Sequence, residues 1–330
     1  MDIKIKLGVL NDILKLRIFH RKIPIAVRWQ LTYRCPMRCI YCDLWEKDVL
    51  ELRTAQILSL LNEMKKSGVR KISFSGGEPM LRDDIAEIIN YCLSIGISPE
   101  MNSTGFLIPQ KIGQLKGLHL FKLSLDGPEE VHDFVRGRKG AYKLVIDGAE
   151  SAASHGINFI FTSTLTKFNV NKIEFLLDLA ENFNTFVAFQ PLKNIYSGCG
   201  TRNVENLCPN EEEYKNALKK LIYWKRNGKG HMRNSLRGLR HIYNWPKYEK
   251  LDCRAGKIFC MLGPDGILYS CDRLEYNRTL PNCVELGFKK AFNNLPNIKC
   301  DGCGFCGSLE LNYLASFKWD IFSTLNKIMK

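Results

Sequence analysis

Three cysteines, Cys35, Cys39 and Cys42, fall within eight residues of one another in the stretch R-C-P-M-R-C-I-Y-C-D-L-W that runs from Arg34 to Trp45. Thiolates in a C-x3-C-x2-C pattern are close enough to wrap a single metal centre. Their number is informative. A cubane [4Fe–4S] cluster normally takes four cysteines. Three protein ligands leave one iron open, and an open coordination position is what a substrate or cofactor needs for chemistry at a metal. The alternative is a structural zinc site, which favours paired C-x2-C spacing with a fourth Cys or His close by. The nearest histidine is His20, well upstream, so the spacing fits a cluster better than zinc.

The rest of the composition is that of an ordinary globular chain. Of 330 residues, 45% are hydrophobic and 25% charged, enough for one large or two modest domains. No run approaches the roughly 18 consecutive apolar residues of a membrane span. The N-terminal residues scatter charges through their apolar positions, unlike a secretory signal. Thirteen cysteines without such a signal argue for thiolate ligands in a reducing, cytoplasmic compartment rather than for a disulfide scaffold. The formal charge of +14 can reflect nucleic acid, an anionic membrane surface or an acidic substrate. With no RNA-binding motif and no dense Lys/Arg run, a nucleic-acid partner is not expected and most of the charge reads as solvated surface.

The elements that must position the cysteines follow from periodicity. Residues 1–22 form an amphipathic extension with a basic face, expected to pack on the domain, with contact at an anionic lipid surface as the alternative. From Ile23 strands and helices alternate. The expected strands are Ala26–Leu31, Lys71–Ser75, Ile97–Asn102, Leu118–Leu125, Asn158–Leu165 and Thr185–Gln190. The expected helices are Thr54–Ser67, Asp84–Ile95, Ala141–His155 and Asn171–Asn182. This is an α/β chain with a parallel sheet and outer helices, whose chemistry belongs at the C-terminal strand ends. The polar and glycine-rich pieces sit there: the cysteine stretch, Gly76-Gly77-Glu78-Pro79, Asn102-Ser103-Thr104-Gly105 and Ser124-Leu125-Asp126.

Residues 193–250 read as a helical connector, with a helix over Glu211–Asn227 and a basic stretch (Arg233, Arg237, Arg240, His241) taken as a solvated face. From Cys253 the chain is dense in cysteine: Cys253, Cys260, Cys271, Cys283, Cys300, Cys303 and Cys306. Gly263-Pro264-Asp265-Gly266 marks a hairpin turn between Lys257–Leu262 and Ile267–Ser270. Residues 311–330 carry helical apolar spacing, expected to pack rather than to bind membrane. Cys92 reads as core; Cys199, Cys208 and Cys283 have no evident partner.

The C-x3-C-x-aromatic-C pattern, with Tyr41 in the aromatic place, resembles the signature of the radical S-adenosylmethionine (radical SAM) enzymes, and residues 23–192 resemble that family's core. The resemblance implies a partial (β/α)6 barrel, a [4Fe–4S] cluster on Cys35, Cys39 and Cys42, and S-adenosylmethionine chelated at the open iron. It further implies that Gly76, Gly77, Glu78 and Pro79 correspond to the family's GGEP motif and Ser124 and Asp126 to its S-x-D. Asn102 stands where the family often shows T-N-G, in a different residue order, and Tyr41 would lie against the adenine. Thr162, Thr164 and Gln190 would line the same pocket.

The later cysteines resemble the auxiliary-cluster region called SPASM or twitch, over residues 251–310. That implies a small hairpin-plus-helix domain and one auxiliary [4Fe–4S] cluster on Cys253, Cys271, Cys300 and Cys303, with Cys260 or Cys306 as substitutes and a zinc ribbon as the alternative. Asp272 matches the position of an aspartate that acts as a base in the anaerobic sulfatase-maturating enzymes; a hairpin-end role is the alternative. The implied activity is reductive cleavage of S-adenosylmethionine to a 5′-deoxyadenosyl radical and hydrogen abstraction from a C–H bond. A flavodoxin- or ferredoxin-type reductant would supply the electron. Peptide modification leads as the outcome; a lipid, isoprenoid or small-molecule substrate, and a non-enzymatic Fe–S or zinc protein, are the alternatives.

Overall fold

A computed structural model describes residues 22–192, 204–271, 279–297, 300 and 302–316. The expected N-terminal extension, Cys199, Asp272 and the chain beyond Ser316 lie outside these residues.

The strands are β1 (Ala26–Thr32), β2 (Lys71–Gly76), β3 (Ser98–Ser103), β4 (Leu120–Ser124), β5 (Phe159–Leu165), β6 (Val187–Pro191), β7 (Phe259–Leu262) and β8 (Leu268–Tyr269). They form one sheet in the order β6-β5-β4-β3-β2-β1-β7-β8, parallel throughout except for the β7–β8 hairpin. The helices are α1 (Thr54–Lys66), α2 (Ile85–Ser94), α3 (Ile108–Lys111), α4 (Glu129–Arg136), α5 (Ala141–Ser154), α6 (Ile173–Asn182), α7 (Glu211–Arg226), α8 (Leu236–Tyr243), α9 (Cys283–Leu286), α10 (Phe288–Asn293) and α11 (Cys306–Ala315).

Alternation in the strands separates two faces. Val27, Trp29 and Leu31 of β1, Ile72 and Phe74 of β2, and Phe121 and Leu123 of β4 join the main core with Leu61 and Met64 of α1 and Ile88 and Ile89 of α2. The intervening residues, among them Arg28, Ser73, Glu100, Lys122 and Thr162, point the other way, to the inner face. That face is curved enough for Lys122 of β4 to bond Ser73 of β2 across β3 (3.0 Å). Such a sheet, built from βα repeats, is a partial barrel with a polar interior. The helices end as their sequences require. The last turn of α1 carries Lys65 and Lys66, and α7 opens on three glutamates behind the Asn210 cap.

Three differences from the sequence reading have physical causes. Helix α4 was not anticipated. Its eight residues, E-E-V-H-D-F-V-R, make barely two turns, and two of the three they bury, His132 and Arg136, are polar, so no apolar period repeats. The hairpin β7–β8 does not stand apart: β7 pairs with β1, adding a strand to the edge of the barrel sheet. The basic stretch after α7 is only partly solvated. Arg240 is exposed, but His241 is buried and stacks on Tyr248, and Arg233 lies close to the carboxylate of Glu100. Cys92 and Cys260 are core residues, as their apolar settings suggest.

Candidate active site

The three cysteines share one apolar patch with Met37, Tyr41, Ala141 and Leu144, at the mouth of a pocket on the C-terminal ends of β1 to β4. The loop that carries them is held from two sides. On one, Arg38 and Ile40 donate their backbone N–H to the carbonyls of Arg136 and Val135 (2.9 and 3.0 Å), which are unpaired acceptors at the end of α4. On the other, Gly77 and Glu78 donate theirs to the carbonyls of Thr32 and Arg34 (2.8 and 2.9 Å). A Cβ on Gly77 would sit 2.2 Å from the Arg34 carbonyl oxygen, so a side chain there would force the two loops apart.

Burial pushes the Cys35 thiol up to about 12 and the Cys42 thiol up to about 11, and raises Cys39 as well. Thiolates at these positions therefore need a strong local cation. Among the described residues no three Cys, His, Asp or Glu side chains converge tightly enough for a single metal ion. Three thiols on one apolar patch with no histidine among them suit the corners of an iron–sulfur cluster.

The protein supplies one cation of its own. Arg136 lines the pocket, with its guanidinium 3.8 Å from Cys39 Sγ and 5.9 Å from the centre of the Tyr41 ring. It is held by Asp126, whose carboxylate lies 2.8 Å from Arg136 Nε and accepts the Thr164 N–H at 3.3 Å. Asp126 is fully buried and lies behind Arg136. The Asp126 backbone N–H donates to His132 Nδ1 (3.1 Å), which makes that nitrogen an acceptor and His132 neutral, as burial also favours.

Glu78 is likewise fully buried. Its carboxylate accepts the Thr104 N–H and hydroxyl (both 2.6 Å), the Ser103 hydroxyl (3.0 Å) and the Met80 N–H (3.1 Å). It clamps the β2 loop, with Pro79 opening the turn that follows, to the end of β3. The pocket wall itself is made by Gly76, Gly77, Asn102, Ser103, Thr104 and Ser124. Of the residues singled out in the sequence, Cys35, Cys39, Cys42, Tyr41, Gly76, Gly77, Asn102 and Ser124 meet at this pocket, while Glu78, Pro79 and Asp126 support it from behind. Arg136 went unnoticed, and Thr104 was marked only as part of the strand-end run after Asn102. The sequence did carry the marks of α4: Pro128 and two glutamates at its start, and Gly137 just past its end.

The later cysteines divide into groups. Cys253 and Cys271 pack on the same apolar cluster as Ala255, Phe259 and Leu314. Cys300 lies near enough to Cys253 for their charges to interact, and Asn312 of α11 donates to Cys253 Sγ (3.7 Å). Cys303 lies beside His241 and Tyr313. Cys306 turns instead to the inner face, 3.9 Å from Gln190 Oε1 and against Leu120, Ile160 and Ala188. Cys260 and Cys283 are buried beside each other in the main core.

Residues 29–180, the span that holds Cys35, Cys39, Cys42 and the pocket wall, match the radical SAM superfamily. That match and the cysteine-rich C-terminal region suit a [4Fe–4S] cluster and S-adenosylmethionine as cofactors, with room for an auxiliary cluster. It is 33% identical over 190 residues to the Fe-coproporphyrin III synthase of Methanosarcina barkeri, a stretch that is 56% of this chain and 47% of that protein. The chain thus aligns with about half the length of that relative. It is 26% identical over 307 residues to the mycofactocin maturase MftC of Mycobacterium ulcerans, covering 87% of this chain and 81% of the relative. In fold it resembles Streptococcus suis SuiB bound to S-adenosylmethionine, with a TM-score of 0.67 and 17% identity over 84% of this chain and 67% of that one. No helix among the described residues is long and apolar enough to cross a membrane.

Proposed function

We propose that the chain cleaves S-adenosylmethionine reductively at a [4Fe–4S] cluster on Cys35, Cys39 and Cys42 and directs the resulting radical at a substrate C–H bond. The observation that carries this is the convergence of those three thiols with the pocket wall of Gly76, Gly77, Asn102, Thr104 and Ser124 and with the Arg136 guanidinium. The cofactors would supply the electron transfer and the radical. The chain's residues bind and orient. Cys35, Cys39 and Cys42 would hold the cluster with three ligands, where four are usual. The strand-end polar groups offer hydrogen bonds to its amino, carboxylate and ribose groups. Tyr41 and Met37 give the pocket an apolar wall that excludes water, and Arg136 offsets negative charge at the thiolates.

Cys253, Cys271, Cys300 and Cys303 are the proposed ligands of the auxiliary cluster, Asp272 is a proposed base beside it, and the division into a core over 23–192 and an auxiliary unit over 251–310 belongs to the same reading. Peptide modification is the leading outcome, supported by the likeness to the mycofactocin maturase and by the fold shared with SuiB, which is known bound to precursor peptide SuiA. A small-molecule substrate is the second reading, favoured by the likeness to Fe-coproporphyrin III synthase. Anaerobic reconstitution followed by reduction with S-adenosylmethionine tests the core of the proposal. 5′-Deoxyadenosine should form with the native chain and vanish in Cys39→Ala; a native chain that binds iron and forms none of it overturns the reading.

A further inference from the structure

The inner face of the sheet carries positive charge directly beneath the pocket. Asn102 and Ser124 line the pocket, and Lys122 is the next inward residue of β4, paired in register with Asn102. Its ammonium lies 2.6 Å from Glu100 Oε2 and donates to Ser73 Oγ at 3.0 Å. Lys71 lies 3.0 Å from the other oxygen of the same carboxylate. One carboxylate thus serves two ammonium groups, and Arg233 adds its field. Although burial pushes Glu100 up, Lys122, Lys71 and Arg233 together hold it well below the usual carboxylate range. The side chains of Lys71 and Lys122 are 34% and 22% exposed, so neither ammonium is sealed inside the core.

A barrel interior built only for stability is filled with branched apolar side chains. Net positive charge in a partly desolvated space is costly unless an anion arrives to offset it. An ammonium has three donors. The Lys122 ammonium has Ser73 and Glu100 as its partners, which leaves a third donor for a ligand. We propose that this floor is a substrate subsite: a carboxylate of the substrate binds Lys122, which holds the substrate under the radical-forming pocket. The proposal rests on the functional reading above and narrows it to substrates bearing at least one carboxylate, whether an acidic side chain of a peptide or a carboxylated small molecule.

The test is a binding measurement on the reconstituted full chain that does not depend on radical chemistry. Two fluorescent probe pairs are titrated: coproporphyrin III against its tetraamide, and a dye-labelled hexaglutamate peptide against hexaglutamine. At least one acid should bind about ten-fold or more tightly than its neutral partner. Lys122→Met should remove that preference and Lys122→Arg should retain it, with thermal melts confirming that each variant is folded. The proposal is overturned if neither acid binds, if acid and neutral partner bind alike, or if the preference survives in Lys122→Met. Equal binding of acid and neutral partner by the native chain overturns the proposal by itself, even where a variant does not fold. 5′-Deoxyadenosine formation by the same native preparation reports separately on the radical reading. A carboxylate preference without it upholds the subsite and overturns the chemistry.

Discussion

Arg136 joins the two chemistries of the pocket. Its charge is fixed by a buried partner, Asp126, and it faces the thiol of Cys39. Positive charge and N–H donors at cluster sulfurs raise a reduction potential, because they favour the form that carries the extra electron. A redox titration followed by electron paramagnetic resonance should therefore show a lower cluster midpoint in Arg136→Gln, with Arg136→Lys intermediate. An unchanged midpoint would remove Arg136 from the tuning role. Taking away one partner of a buried pair should also cost about 3–5 kcal/mol in urea unfolding. Glu100 gives a second test at this scale. Its pKa is depressed in the folded chain, so its contribution is full above the ordinary carboxylate pKa of about 4.3 and is lost as pH falls below it. Glu100→Gln should be less stable than the native chain at neutral pH, and the gap should narrow as the buffer is taken below that value; a constant gap would contradict it. The cysteines and the glycine pair were legible in the sequence because their chemistry is written in spacing. Arg136 was not, because its importance depends on a partner ten residues away on a different element.

Helix α4 shows how an element can matter out of proportion to its length. It buries little, yet its last carbonyls are capped by the cysteine loop itself, so the loop takes its shape from the helix end. Gly137 makes this approach possible. It holds φ +61, and a Cβ there would lie 2.2 Å from the Arg38 carbonyl oxygen. Gly137→Ala should displace the loop and lower the iron retained after anaerobic reconstitution, read by iron analysis and by the visible absorbance of the cluster. Gly140→Ala is a matched control: it also has positive φ, but open space around its Cβ position. Equal iron in the two variants would show that backbone strain alone, not the contact, is responsible. The six βα strands were readable from period and turn residues, since each is specified locally. The pairing of β7 with β1 was not, because it joins segments more than two hundred residues apart and no local pattern encodes the partner.

Across the whole molecule, that same pairing ties the later cysteines to the first. β1 leads directly into the cysteine loop, β7 lies beside it, and Cys253 precedes β7 while Cys271 follows β8. Helix α11 then places Asn312 on Cys253 and Cys306 at the inner face by Gln190. An auxiliary centre on Cys253, Cys271, Cys300 and Cys303 would thus belong to the same sheet as the pocket without sharing its wall. Substitutions at the two centres should separate. Cys39→Ala should abolish 5′-deoxyadenosine formation. Cys253→Ala should leave S-adenosylmethionine cleavage in place while lowering bound iron from about eight to about four per chain, the content of one cubane instead of two. Iron analysis and product formation on the same preparations check both. Loss of cleavage in Cys253→Ala would mean that the later centre supports the first one structurally or electronically. Unchanged iron would mean that Cys253 holds no cluster.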